Sequence, residues 1–486
     1  MIFGRKKWLR HVGRFVAVSL AACMMISLAA CSGKNATGEG TSGKKGEPAD
    51  DTPWNHGPFS IMETESGWYT SHVNYNSMCL RYYEKESGNS ILLCNKPECL
   101  HEGDEGCEAT YRGIRVINAI LYDDSIYVYG VQGADGRLGN RMDSPTTETV
   151  SLCLWRAALD GSSIDRVATI IEADNTQGQT VKCPSGLYIG PRYVNSFIIH
   201  QGYAYLPYSL QFGNGQMGFQ GGGIKKVELS SGKMEDVYKM DGPINGVPTN
   251  LTAVGDKLYY YRFATNGTRW NPIYCYSITE KTLAPLDLTW TITMIDGKQN
   301  FILYNAQVAF TKDRIYGLGH TYQEDTNEDG DLTILSFNAE TGELLEEECV
   351  VTELSYVVRK ETSSSRHGSY YQIMPSPDGL LISDGEGAYF FDASGKKLGE
   401  IAFPKEMLGI GDRDKSVIMD YMISDGKLYL NVSFPNTAFY RVLYVPIEDV
   451  YQGKGEWKDA YQIQGTITYQ QFEDIMNSGG ILINEE

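Results

Sequence analysis

Asp256-Lys257-Leu258-Tyr259-Tyr260-Tyr261-Arg262 and Asp425-Gly426-Lys427-Leu428-Tyr429-Leu430-Asn431-Val432 are two copies of one pattern. Each opens on a turn residue and runs into a strand whose side chains alternate between two faces. Five further stretches repeat it: Ser66-Gly67-Trp68-Tyr69, Asp124-Ser125-Ile126-Tyr127, Gln201-Gly202-Tyr203-Ala204-Tyr205, Asp313-Arg314-Ile315-Tyr316 and Asp378-Gly379-Leu380-Leu381. From Tyr69 to the matching position at Tyr429 the six steps are 58, 78, 54, 57, 65 and 48 residues. A second signal follows most copies, an alternating strand and then a tight turn. These turns are Ser87-Gly88, Asp160-Gly161, Ser231-Gly232, Thr341-Gly342, Ser394-Gly395 and Gly453-Lys454-Gly455, with Glu280-Lys281 in the fourth copy.

Each unit therefore reads as four antiparallel strands, with a turn before the second and a hairpin between the third and fourth. Helical periodicity of any length is absent. Four-stranded units repeated in series, with no Pro/Ser linker between residues 54 and 465, predict an all-β chain folded as a β-propeller of seven blades. A row of separate sandwiches would need such linkers. Composition agrees: 52 glycines and 33 tyrosines among 486 residues suit turns and half-buried strands.

Ahead of the repeats, Arg5, Lys6, Lys7, Arg10 and Arg14 precede an uncharged run of sixteen residues, 15–30. That run is short for a membrane span and suits the core of a signal peptide. It ends in Leu28-Ala29-Ala30-Cys31-Ser32-Gly33, which resembles the bacterial lipobox. The resemblance implies removal of residues 1–30 and a diacylglycerol on Cys31, hence a lipid-anchored protein on the outer side of the cell membrane. Residues 31–53 are rich in Gly, Ser and Lys and form the expected flexible tether. The propeller is assigned to 54–465 and a C-terminal tail to 466–486.

Without the leader, 37 basic residues face 61 acidic ones. A body that acidic repels nucleic acid and anionic headgroups, so no nucleic-acid partner is expected.

The repeats resemble bacterial secreted propeller domains, including quinoprotein-like repeats and low-density-lipoprotein-receptor-like propellers. The nearest piece is Asn338-Ala339-Glu340-Thr341-Gly342-Glu343, but Leu344-Leu345-Glu346 stands where a quinoprotein docking repeat would present tryptophan. No quinone is expected on that ground. Gly213-Asn-Gly215-Gln-Met-Gly218 lacks a following helix, so no nucleotide is expected either.

Successive connections in a blade alternate between the two faces of the ring. The second-to-third strand loops and the blade-to-blade loops share one face, and the long segments 95–114, 131–148, 208–223, 262–272 and 318–333 all belong to it. Any ligand is expected there, around the channel mouth.

Two constellations on that face carry metal chemistry. Cys94, Cys99, His101 and Cys107 place three thiols and an imidazole within fourteen residues. They suit a structural zinc site. Export equally allows disulfides, through Cys94–Cys107 or a pair with Cys79, or free thiols. Cys153, Cys183, Cys275 and Cys349 are scattered and read as small buried hydrophobes. Asp325, Asn327, Asp329 and Asp331 follow the alternate-oxygen spacing of a calcium loop with Gly330 at its sharp turn, and the segment resembles the hairpin calcium loops of integrin-type propellers. Position 12 is Ser336 and not a bidentate acid, so a solvated acidic turn is the other reading. His56, His72, His200, His320 and His367 are isolated, and no nucleophile elbow, zinc-protease helix or phosphate loop is present.

The expected function is a monomeric, lipid-anchored, non-catalytic propeller that binds or scaffolds a glycan, peptide or envelope protein. The rival is a propeller lyase or hydrolase acting on extracellular polymer. A solute-binding lipoprotein would show alternating βα units, which are absent.

Overall fold

The computed structural model describes residues 62–462, apart from 75–76, 95, 97–113, 134–149, 174–178, 183–196, 213–218, 245, 265–272, 287–292, 296–298, 312, 324–327, 346–349, 352–371, 384–386, 405–417 and 434–439. The strands form seven antiparallel sheets, each a contiguous stretch of chain taken in sequence order. Blades 1 to 7 span residues 62–92, 114–173, 179–244, 246–286, 293–351, 372–402 and 418–462. This is the seven-bladed β-propeller expected from the repeats.

Six of the seven quoted turns lead into the second strand of a blade's ladder, from Gly67–Asn74 in blade 1 to Lys427–Ser433 in blade 7; in blade 5, where the short strand Thr293–Ile295 comes first, the turn leads into the third, Arg314–Gln323. The hairpin glycines take the left-handed conformation that other residues avoid, with φ of 67° at Gly88, 73° at Gly161 and 70° at Gly232. Lys281 adopts φ 55° at the matching place in blade 4, where the sequence offers no glycine. Acceptor side chains finish these turns. Asp160 Oδ1 accepts from the Ser162 amide, Asn338 Oδ1 from those of Glu340 and Thr341, and Asp392 Oδ1 from those of Ser394 and Lys396. The Asn338–Glu343 segment that resembles a docking repeat is thus the last hairpin of blade 5.

Alternation along the second strands does not separate a wet face from a dry one. Leu258, Tyr259 and Tyr260 are consecutive and all fully buried, as are Leu428, Tyr429 and Leu430. Both faces of each blade pack against a neighbour, so both sets of alternate positions lie in a core. Seven apolar clusters result, one at each seam between blades. Phe390, Leu428, Leu443 and Val445 lie between blades 6 and 7, and Tyr129, Leu152, Phe197 and Leu206 between blades 2 and 3. Each such side chain contributes roughly 1.5–3 kcal/mol on burial. The fourth strands run along the outside, as the half-exposed Lys397–Ala402 shows. In blade 7 a five-residue helix, Ile447–Tyr451, interrupts the last hairpin and buries Ile447 and Val450 against the seam with blade 6. It is too short to leave a period in the sequence.

Candidate functional site

Counting blade 5 from Gln299–Phe310, the first strand of each blade leaves one face of the ring, the second returns to it, and the fourth ends on it. That face receives the second-to-third loops and the blade-to-blade connections; it is called here the loop face. The other carries only the tight turns and hairpins described above.

Blades 3 and 5 are extended at the loop face. In blade 3 the second strand, Tyr203–Phe212, pairs with Phe219–Glu228 along its whole length, and an extra strand, Gln179–Lys182, pairs with its last four residues. In blade 5 a short extra strand, Thr293–Ile295, pairs with the next one, and the three strands that follow it, Gln299–Phe310, Arg314–Gln323 and Glu328–Asn338, run for 12, 10 and 11 residues. Segments 208–223 and 318–333, read from sequence as long loops, are therefore mostly paired strand. The glycine run 221–223 explains one misreading. A Cβ on Gly223 would sit 2.1 Å from the Tyr238 carbonyl oxygen and 3.1 Å from the Tyr208 hydroxyl. Here glycine permits close strand approach and does not mark a loop. The two raised blades flank blade 4.

Of the acidic constellation, Asp329 and Asp331 fall in the paired end of the blade 5 extension. Gln323 pairs with Glu328 and Tyr322 with Asp329, after which the register slips by one residue before His320 pairs with Leu332. Asp329 and Asp331 thus lie in the strand Glu328–Asn338, on either side of Gly330 at an irregularity. Asp325 and Asn327 lie outside the described residues. Of the cysteine cluster, Cys94 is half-buried at the end of blade 1, two residues beyond the strand Ser90–Leu92. Cys99, His101 and Cys107 lie outside the described residues, as does Cys31. Among the described residues no three His, Cys, Asp or Glu side chains are grouped to hold a metal ion.

Cys153 is buried in the core between blades 1 and 2, and Cys275 packs against the core between blades 4 and 5. Burial raises both thiols above the ordinary cysteine range, which suits packed hydrophobes better than nucleophiles. His200 is fully buried, and its Nε2 donates 2.7 Å to the Gly255 carbonyl, tying blade 3 to the first turn of blade 4. It is a structural histidine.

Charge on the hairpin face is engaged within blades and across seams between them. Lys226 of blade 3 lies 4.0 Å from the Tyr203 ring centroid and 3.7 Å from Glu235. Lys281 of blade 4 reaches across to the same carboxylate at 3.0 Å. Burial pulls the Lys226 ammonium below the usual lysine range against the opposing charge of Glu235. The hydrogen bond and charge of Lys281 hold Glu235 below the usual carboxylate range. Asp256 accepts from the hydroxyls of Ser277 and Thr279. Burial alone would raise this carboxyl, but those bonds outweigh it and lower it. At the seam between blades 7 and 1, Glu63 meets Lys85 at 2.7 Å and Lys427 at 2.6 Å. The pairings of Glu235 with Lys281 and of Glu63 with Lys427 were not legible in the sequence, because their partners lie in different blades.

No protein-family model matches the chain, and no curated protein matches it. Among solved structures it is similar to the polysaccharide lyase Uly1, at 12% identity and TM-score 0.38, over 85% of this chain and 94% of that one. An oligogalacturonate lyase in complex with manganese matches at 11% identity and TM-score 0.33, over 70% and 74% of the two chains. A europium-containing methanol dehydrogenase matches at 12% and TM-score 0.33, over 71% of each. These are propeller-scale likenesses too distant to bear on activity.

Proposed function

We propose that this protein is a lipid-anchored, extracytoplasmic propeller that binds a glycan, peptide or envelope partner on its loop face without transforming it. The observation that carries the reading is the asymmetry of the ring. On one face the polar side chains named above serve turns and seams between blades. On the other, paired strands raise blades 3 and 5 on either side of blade 4. A rigid ring holding two raised β-extensions is a preorganised platform, and preorganisation lowers the entropic cost of binding. The lipobox at Cys31 supports the location, and the gap between Cys31 and the first strand at Met62 supplies reach.

The test uses the detergent-purified full chain on arrays of envelope glycans and peptides. It is run beside a variant in which residues 320–332 are replaced by Asn-Gly, a two-residue turn between the paired Gly319 and Thr333 that removes the end of the blade 5 extension. Saturable binding with the ligand recovered intact, weakened in the variant, is expected. New reducing ends or unsaturated sugar ends that accumulate with time would replace this reading with a hydrolase or lyase. Binding equal in both proteins would remove the loop face as the site.

A further inference from the structure

The ring must close where its two ends meet, between blade 7 and blade 1. Among the described residues no strand from one end joins the sheet at the other: blade 1 is built from residues 62–92 and blade 7 from residues 418–462. Among the described residues, the contacts that close this seam are made by side chains.

Blade 4 shows how an ordinary seam is bridged. Its second strand opens with Lys257-Leu258-Tyr259; the Tyr259 hydroxyl donates 3.2 Å to the Ala339 carbonyl in the hairpin of blade 5, and Lys257 lies 3.7 Å from the well-exposed Glu340. Blade 7 opens with the same triplet, Lys427-Leu428-Tyr429, facing blade 1. There the corresponding hairpin begins at Lys85, a like charge to Lys427. Glu63, on the first strand of blade 1 with only 6% of its side chain exposed, stands between the two ammonium groups. It also accepts from the Tyr429 hydroxyl. Trp68 and Tyr444 complete the surroundings, with Lys85 5.0 Å over the first ring and Lys427 5.6 Å over the second. Asp425 is the other acid acting on Tyr429.

The apolar core beside this clasp is small. Among the described residues it comprises Trp68, Tyr83, Met422, Tyr429, Val442 and Ala460, six buried residues against seven between blades 5 and 6, nine between blades 4 and 5 and twelve between blades 6 and 7. We infer that Glu63 is the latch of the ring, and that blades 7 and 1 part first when it is lost. A buried pair broken by removing its acid leaves two cations facing each other, which a neutral carbonyl acceptor such as that of Ala339 never does. Acid should act on the same latch, since Lys427, Lys85 and Tyr429 hold the carboxylate form in place.

The test is hydrogen exchange on the full chain, comparing wild type, Glu63→Gln and Glu340→Gln. Glu63→Gln should speed exchange about tenfold or more in the strands Gly67–Asn74 and Lys427–Ser433, and leave Lys257–Ala264 unchanged. Glu340→Gln should alter neither seam, because Tyr259 bonds to backbone. If Glu63→Gln fails to fold, Lys427→Gln keeps Glu63 paired with Lys85 and should show the same seam-selective change at smaller amplitude. Exchange that rises equally at all seams, or at none, overturns the inference.

Discussion

Two hairpins offer the same local chemistry in different surroundings. Glu84-Lys85-Glu86-Ser87-Gly88 and Glu228-Leu229-Ser230-Ser231-Gly232 share a Glu-x-x-Ser-Gly frame, and in each the glycine amide donates to the glutamate carbonyl, at 3.0 and 2.8 Å. The φ values are 67° and 70°. A Cβ on Gly88 would meet nothing within 4 Å, whereas one on Gly232 would sit 2.6 Å from the Val167 carbonyl oxygen of blade 2. Alanine at either site adopts a left-handed residue costing about 1–2 kcal/mol. It recovers about 0.5–1 kcal/mol by restricting the unfolded chain. Gly88→Ala should therefore cost roughly 0.5–1 kcal/mol. Gly232→Ala must also push the neighbouring blade back until the contact opens from 2.6 Å to at least 3.4 Å. Overpacking of that kind adds about 1–3 kcal/mol. The assay is urea unfolding of both variants, compared at equal slope so that midpoints report stability. Equal midpoint shifts would refute the claim that the hairpins are wedged between blades.

Cys31→Ser should abolish metabolic fatty-acid labelling, and labelling that persists would remove the lipobox reading. For Cys94, Cys99, His101 and Cys107, about one tightly bound zinc per chain with thiols reduced would establish the metal site, and His101→Ala should weaken it. No zinc and missing thiols would establish disulfides. If Asp325, Asn327, Asp329 and Asp331 bind calcium, affinity should be weak, on the order of 10⁻⁴–10⁻³ M. Millimolar calcium should then raise the melting temperature of wild type but not of Asp329→Ala; equal responses would leave a solvated turn. Burial opposes ionisation of Glu63, but Lys427, Lys85 and Tyr429 outweigh it and hold the folded carboxyl below its ordinary 4.5. Its stabilisation is thus present above pH 4.5 and lost as pH falls below that value, so the gap in melting temperature between wild type and Glu63→Gln should narrow in acid. A constant gap from pH 7 to pH 3 would contradict that linkage.

The blade count was legible because left-handed turns demand glycine or an aspartate acceptor, and these recur where the chain reverses. Strand length was not. Gly221, Gly222 and Gly223 carry the composition of a loop, yet they pair with Leu210, Ser209 and Tyr208, and at Gly223 a close backbone approach excludes a side chain. Burial on both faces was equally hidden, since nothing in Leu258-Tyr259-Tyr260 marks three consecutive side chains, pointing to opposite faces, as all enclosed. The seam contacts were illegible in principle. Glu63 and Lys427 are 364 residues apart, and no spacing rule connects first and last blades.

The architecture also determines where the chain can change without losing its fold. Every blade contributes to two cores, so moving one blade disturbs both of its seams. The hairpin face is bound into this arrangement: Gly161 and Gly232 lie against the backbone of adjacent blades, and the pairs Glu235–Lys281 and Glu63–Lys427 link blades by charge. Loop-face connections leave from strand ends already fixed by those cores, and lengthening a closed loop costs only about 0.6 kcal/mol per doubling. Insertions are therefore tolerated on the loop face and resisted on the hairpin face. The extensions of blades 3 and 5 lie on the tolerant side. Loops there can change while Glu63 and the seven cores keep the ring in place.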